Sequence, residues 1–267
     1  MKNILLLAHD DAGQESRFQA ALDLTRAVNG HLTCLGVSIV PLMLSDVYAV
    51  TVEAAVFADE LEREAKNRER LEARLAREDV SWQWIDVTGN PAQQLEAHGG
   101  LADIIVVSRK LETEPMPDTR AIASEVVVGS GKLVLAVPEF PLGFDVTGHA
   151  MVAWDGSDEA MKALQAATPL LELARMVTIV TIEDGSAGKA DVEAAAYLSR
   201  HGVSAVVARR PGTARPTADL LIAEAKAEGA DYVVMGAFGR SRIVEAILGG
   251  VSREMLGESP IPIVMAH

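Results

Sequence analysis

Short aliphatic runs recur along the chain. Each is followed by a polar turn and then by a stretch whose apolar positions fall three and four apart. The runs include ILLLA (4–8), LTCLGV (32–37), IIVV (104–107), LVLAV (133–137), VTIVTI (177–182) and YVVM (232–235). Apolar runs of this length between turn residues read as strands buried on both faces. The segments between them read as amphipathic helices of about 10–15 residues. Strands alternating with such helices predict βαβ units, a parallel sheet and right-handed crossovers.

The pattern occurs twice. ILLLAHDDAGQESRFQAALDLTRAVNGHLTCLGV (4–37) runs parallel to MVAWDGSDEAMKALQAATPLLELARMVTIVTI (151–182), with Asp10 opposite Asp155. GNPAQQLEAHGGLADIIVVS (89–108) answers GTARPTADLLIAEAKAEGADYVVMG (212–236), and SEVVVGSGKLVLAVP (124–138) answers REMLGESPIPIVMAH (253–267). The Pro- and Gly-rich PEFPLGFDVTGH (138–149) separates the copies. The expected architecture is α/β, with two tandem doubly wound five-stranded parallel-sheet domains at 1–140 and 148–267. Each copy is expected to hold about four helices.

The first copy has an extra segment. ADELEREAKNRERLEARLARED (58–79) predicts a charged helix with Glu62/Lys66 and Glu64/Arg68 pairs and a narrow stripe of Leu61, Ala65, Leu71 and Leu75. It would cover the sheet or offer a face to a partner. VSWQWIDV (80–87) alternates as a strand that puts Trp82 and Trp84 on one side, for core or interdomain packing. The apolar stretch VPLMLSDVYAV (40–50) would line a cavity or an interface.

Composition narrows the class of function. The chain has 267 residues, 49% of them hydrophobic, and a formal net charge of −14. That charge argues against nucleic acid or an anionic membrane as partner. Residues 1–147 hold 13 basic and 23 acidic groups, and residues 148–267 hold 11 and 15. The second copy is therefore the better host for an anion. No apolar run reaches the length of a membrane span, and MKNILLLAHDD is too short in its apolar part for a secretion signal. A cytoplasmic location is expected. The single cysteine, Cys34, sits in an apolar run and reads as a packed thiol.

The candidate chemistry lies beyond the carboxyl ends of the strands, where an open parallel sheet binds ligands. VAWDGSDEA (152–160), the end of VTIVTIED and VVMGAFGRSR (233–242) should meet there. Gly236 and Gly239 let backbone N–H groups face an oxyanion. Gly249 and Gly250 precede VSREML, whose helix N-terminus carries partial positive charge. Arg240, Arg242 and Arg253 add charge, and Asp155 at a strand end can accept from a ribose hydroxyl or an adenine amine. A purely structural role is open for each. Gly236 can turn out of a strand, Gly249 can cap a helix, and Asp155 can serve an N-terminal cap with Ser157.

VAWDGSDEA, GADYVVMGAFGRS and GGVSREMLGESPIPIVMA resemble the universal stress protein family, whose hallmark is Gly-x2-Gly-x9-Gly-Ser/Thr before a closing strand. Gly236, Gly239 and Gly249 match that spacing, but Gly250 stands where the family has Ser or Thr. The resemblance implies an adenine nucleotide alpha hydrolase-like fold, with the last strands, KLVLAV and IPIVMA, meeting edge to edge in an intramolecular pseudo-dimer. It also implies an adenine nucleotide, ATP or AMP, bound by Asp155, Gly156, Ser157, Gly236, Gly239, Arg240, Gly249, Gly250, Val251 and Ser252, with magnesium accompanying ATP. The function it implies is a non-catalytic stress-response module. A protein-interaction module of the same fold, without nucleotide, is the alternative, and a homodimer and an unidentified protein partner stay open.

The first copy lacks the glycine loop. RKLETEPMPDTRAIASE (109–125) has no glycine and carries Pro115 and Pro117, so a structural role is expected of it. The six histidines show no metal-ligand spacing, and His9, beside Asp10 at a strand end, is the one to watch. GSAGKA (185–190) and GSGKL (129–133) fall short of a phosphate loop of the GxxxxGK[ST] type. There is no Gly-x-Ser-x-Gly nucleophile turn and no evident general base, so no catalytic residue is assigned.

Overall fold

A computed structural model describes residues 1–40, 49–113, 117–183, 190–239 and 250–267. In chain order the elements are β1 (Asn3–Ala8), α1 (Gln14–Ala27), β2 (His31–Ser38), α2 (Ala49–Leu75), β3 (Ser81–Thr88), α3 (Pro91–His98), β4 (Ile104–Ser108), α4 (Thr119–Ser130) and β5 (Leu133–Val137). There follow β6 (His149–Ala153), α5 (Asp158–Leu171), β7 (Met176–Glu183), α6 (Ala190–Arg200), β8 (Ala205–Pro211), α7 (Thr217–Glu228), β9 (Tyr232–Gly236), α8 (Val251–Glu258) and β10 (Ile263–Ala266).

The strands form one ten-stranded sheet in the order β3-β2-β1-β4-β5-β10-β9-β6-β7-β8. All neighbours are parallel except β5 and β10, which pair antiparallel with Ala136 opposite Ile263 and Val134 opposite Met265. The predicted edge-to-edge meeting of the two last strands is thus present. Two further bonds cross the same seam: Lys110 N–H donates to the Leu256 carbonyl at 3.1 Å, and Arg109 Nη1 donates to the Gly257 carbonyl at 2.8 Å.

Side chains alternate across the sheet and feed two apolar layers. Ile4, Leu6 and Ala8 pack with Phe18, Leu22, Leu71 and Leu75 on one face. Leu5 and Leu7 pack with Leu95, Val126 and Val127 on the other. Burial on both faces is why β4 and β5 are continuous aliphatic runs rather than alternating ones.

The repeat is visible in the bonding. Asp103, just before β4, accepts the Asn3 N–H at 2.9 Å, and its own N–H donates to the Asn3 carbonyl at 2.8 Å. Asp231, just before β9, does the same with His149, at 2.6 and 2.8 Å. This fixes the correspondence of the halves: Ser108 stands where Gly236 does, and Leu111 where Gly239 does.

The helix of the first copy departs from its predicted stripe. Leu71 and Leu75 are buried, but Leu61 and Ala65 are exposed, and Glu64 and Asn67 are buried instead. Lys66 pairs with Glu62 at 2.6 Å as expected. Glu64 faces His9, while Arg68 pairs with Glu72 and Asp86. Polar partners on β1 and α1 decide which face turns inward, so apolar spacing alone misplaces the upper half of α2. Trp82 and Trp84 pack on the core of their own half, since β3 is an outer edge strand far from the seam. Residues 41–48 of the apolar stretch lie outside the described residues.

Candidate functional site

The carboxyl end of the second half is built by the turn after β6, the turn after β9 and the starts of α5 and α8. After β6, Trp154 is buried and its N–H donates to the Val180 carbonyl at 2.9 Å. Its indole N–H is buried with no partner among the described residues. Asp155 is exposed. Its Oδ1 accepts the backbone N–H of Ser157 at 3.0 Å and the Ser157 hydroxyl at 2.6 Å. Gly156 between them has φ +76°, the left-handed region where glycine is at home. Ser157 then caps α5, its Oγ accepting the Ala160 N–H at 3.2 Å. The structural role considered for Asp155 and Ser157 is therefore in place. It uses only Oδ1 of Asp155.

Gly236 ends β9 against the first turn of α5. A Cβ there would overlap the Ala160 amide nitrogen and lie 2.6 Å from the Glu159 carbonyl carbon. A Cβ at Gly239 would overlap the Glu159 carboxylate, whose Cδ would be 2.8 Å away. Gly236 is thus demanded by close approach to the α5 backbone, while at Gly239 only the movable end of the Glu159 side chain stands in the way.

The amides between them are already engaged. Ala237 N–H donates to the Ala266 carbonyl at 2.9 Å, and Phe238 N–H donates to Ser252 Oγ at 3.0 Å. The expected cradle of free main-chain donors is accordingly smaller than the sequence suggested. Ser252 is buried and serves this loop, which places it inside the protein rather than at an open surface. Gly250 is the cap residue of α8, with φ −70° and ψ 151° and no side-chain cap. The amides of Val251 and Ser252 open that helix, where N–H groups lack an intrahelical acceptor. Arg240 and Gly249, with the rest of 240–249, lie outside the described residues. Arg253 is exposed on α8.

The first half treats the same location differently. Arg17 of α1 is fully buried. Its Nη1 donates to Asp11 Oδ1 at 2.8 Å and Ser108 Oγ at 2.7 Å, and Nη2 and Nε reach the carbonyls of His9 and Leu7 at 2.9 and 3.0 Å. A Cβ on Gly13 would overlap Ser108 Oγ and lie 2.6 Å from Leu111 Cδ2. The counterparts of Gly236 and Gly239 therefore carry side chains that close the end of the sheet around an internal guanidinium. Asp10, set opposite Asp155 by the sequence, is not its structural counterpart: it pairs with Arg70 at 2.7 Å, and the bond matching Asp155 to Ser157 is made by Asp11, whose Oδ1 accepts the Gly13 N–H at 2.8 Å.

Sequence reasoning missed this guanidinium, and although it singled out His9 it missed that His9 meets Glu60 and Glu64 of α2. The Glu60-x3-Glu64 spacing on one helix face was the available signal.

The family model described as the universal stress protein family matches residues 179–267, which contain the glycine loop and the closing strand. Residues 179–267 carry a universal stress protein domain. Among solved structures, a universal stress protein from Archaeoglobus fulgidus DSM 4304 is 16% identical with a TM-score of 0.71, covering 99% of this chain and 96% of its own. A functionally unknown protein from Pseudomonas aeruginosa PAO1 is 14% identical with a TM-score of 0.62, covering 100% of this chain and 92% of its own. At these identities the likeness is one of fold, and in both cases it spans the two halves. No curated protein matches the chain. No helix among the described residues is long and apolar enough to cross a membrane.

Proposed function

We propose that this chain is a non-catalytic regulatory module that binds one adenine nucleotide, ATP or AMP, in a C-terminal domain at 148–267, with an N-terminal domain at 1–140 as its structural mate. The free Oδ2 of Asp155 accepts from the ribose or base. The backbone from Gly239 onward and the start of α8 at Gly250, Val251 and Ser252 receive the phosphates, with magnesium entering alongside ATP. The observation that carries this reading is the contrast between the halves. Asp155 engages only its Oδ1 and α8 opens on Gly250 with no side-chain cap, whereas in the first half Ser108, Leu111 and Arg17 close the end of the sheet.

The test is calorimetric titration of the whole chain with ATP, AMP and cyclic AMP, with and without magnesium. The expected result is one site per chain, weakened by Asp155→Ala and unchanged by Asp10→Ala. No heat and no thermal shift with any nucleotide at millimolar concentration would overturn it.

One observation favours the alternative, a protein-interaction module without nucleotide. The amides of Ala237 and Phe238 are already satisfied, and the Glu159 carboxylate lies against Gly239. Recovery of a stoichiometric protein partner with nucleotide-free protein would support that reading.

A further inference from the structure

The cluster on the first half has the donor set of a metal site. His9 Nδ1 lies 2.8 Å from Glu64 Oε1, 3.8 Å from Glu60 Oε1 and 3.1 Å from the Val37 carbonyl. One ligand atom from each of His9, Glu60 and Glu64 falls within 4.8 Å of the others. Ligands about 2.1 Å from a tetrahedral ion stand about 3.4 Å apart, inside the spread of these separations.

The hydrogen bonds point the same way. Glu60 Oε1 accepts the Ile39 N–H at 3.1 Å, and Glu64 Oε1 accepts the Asp10 N–H at 3.0 Å beside its 2.8 Å contact with His9 Nδ1. These backbone donors fix both oxygens in the cluster. The imidazole Nδ1 therefore has three oxygen atoms within 4 Å, two of them carboxylate oxygens. A proton on Nδ1, shared with Glu64 Oε1 at 2.8 Å, is one occupant.

We propose that His9, Glu60 and Glu64 bind one first-row divalent cation, with the ion taking the place of that proton. An imidazole with two carboxylates suits Zn²⁺, Mn²⁺, Fe²⁺ or Co²⁺ and disfavours Mg²⁺. The charged groups facing the cluster are Asp11 and Arg17 from the β1–α1 side and Arg63 from α2. Arg63 holds the other oxygen of Glu60, Oε2, at 2.6 Å and is nearly half exposed, so it stands as the movable outer wall. Asn67 Nδ2 donates to Glu64 Oε2 at 3.0 Å and fixes that carboxylate from behind.

The test needs no nucleotide and so stands or falls apart from the reading above. The full chain is dialysed against Zn²⁺ or Mn²⁺ at pH 7.5 and the bound metal is counted. One ion per chain is expected. Glu64→Gln and Glu60→Gln should each weaken it by more than the roughly 10–100-fold that loss of a supporting partner costs. Glu172→Gln, at the exposed His201 pair, should leave it unchanged. On the wild-type chain, nitrogen-15 NMR should show Nδ1 of His9 changing from protonated to metal-bound, whatever the folding of the variants. No stoichiometric ion, or an ion whose arrival leaves the His9 resonances unmoved, would overturn the proposal.

Discussion

Replacing Arg17 by methionine tests the claim that the first half closes its own sheet end with an internal charge. The methionine keeps most of the stem volume while removing four donor contacts, to Leu7, His9, Asp11 and Ser108. The Asp11 carboxylate, only 1% exposed, loses its cation, and its Oδ2 already has no partner. Breaking a buried pair from one side costs about 3–5 kcal/mol, because the remaining charge is stranded. At about 2–4 °C per kcal/mol for a chain of this class, the melting temperature should fall by roughly 6–20 °C. Urea unfolding followed by far-ultraviolet circular dichroism measures the same loss. Adding Asp11→Asn to Arg17→Met removes the stranded charge and should recover about 1–2 kcal/mol, a coupling within the usual range for neighbours. If Arg17→Met stays within about 1 kcal/mol of the parent, or the double variant is no better than the single, the buried-charge reasoning fails.

Gly236→Ala should destabilise by about 1–3 kcal/mol, because its Cβ meets backbone of α5 that cannot rotate away. Gly257→Ala within α8 meets nothing within 4 Å and should be neutral or stabilising by up to about 1 kcal/mol, so the pair of melting curves separates close approach from glycine content. Glu159→Gln should tighten nucleotide binding by about threefold to tenfold, through loss of one negative charge beside the phosphate path. Titration calorimetry showing no gain would remove Gly239 from that path. Burial, with a smaller contribution from the Glu72 charge, pushes the Cys34 thiol up to about 12. Iodoacetamide at pH 8 should therefore leave the native chain unlabelled and modify it only on unfolding, and labelling within minutes would contradict the packed position.

The aliphatic runs made the strands legible because a parallel sheet covered on both faces admits little else. The pairing of β5 with β10 was legible only through the family resemblance. The glycine spacing located a real convergence of β9, α5 and α8, but not its occupancy. Nothing in the sequence indicates that Ser252 reaches back to the Phe238 amide, since that bond joins residues brought together only by the fold. Arg17 was unreadable for a similar reason. A lone arginine in an amphipathic helix ordinarily faces water, and only the convergence of Asp11, Ser108 and two carbonyls makes burial favourable. The inward face of α2 was misread because Glu60, Glu64 and Asn67 are polar, and a stripe drawn from apolar residues alone passes one position aside.

The central claim is that the two halves share one architecture and only the second receives an anion. Amide hydrogen exchange of the whole chain, with and without saturating ATP and magnesium, tests it most directly. Slower exchange at Gly239 and at Gly250–Ser252, with no change at residues 10–13 or 109–111, is the expected result. Protection at the first-half turns, or none at either, would contradict it.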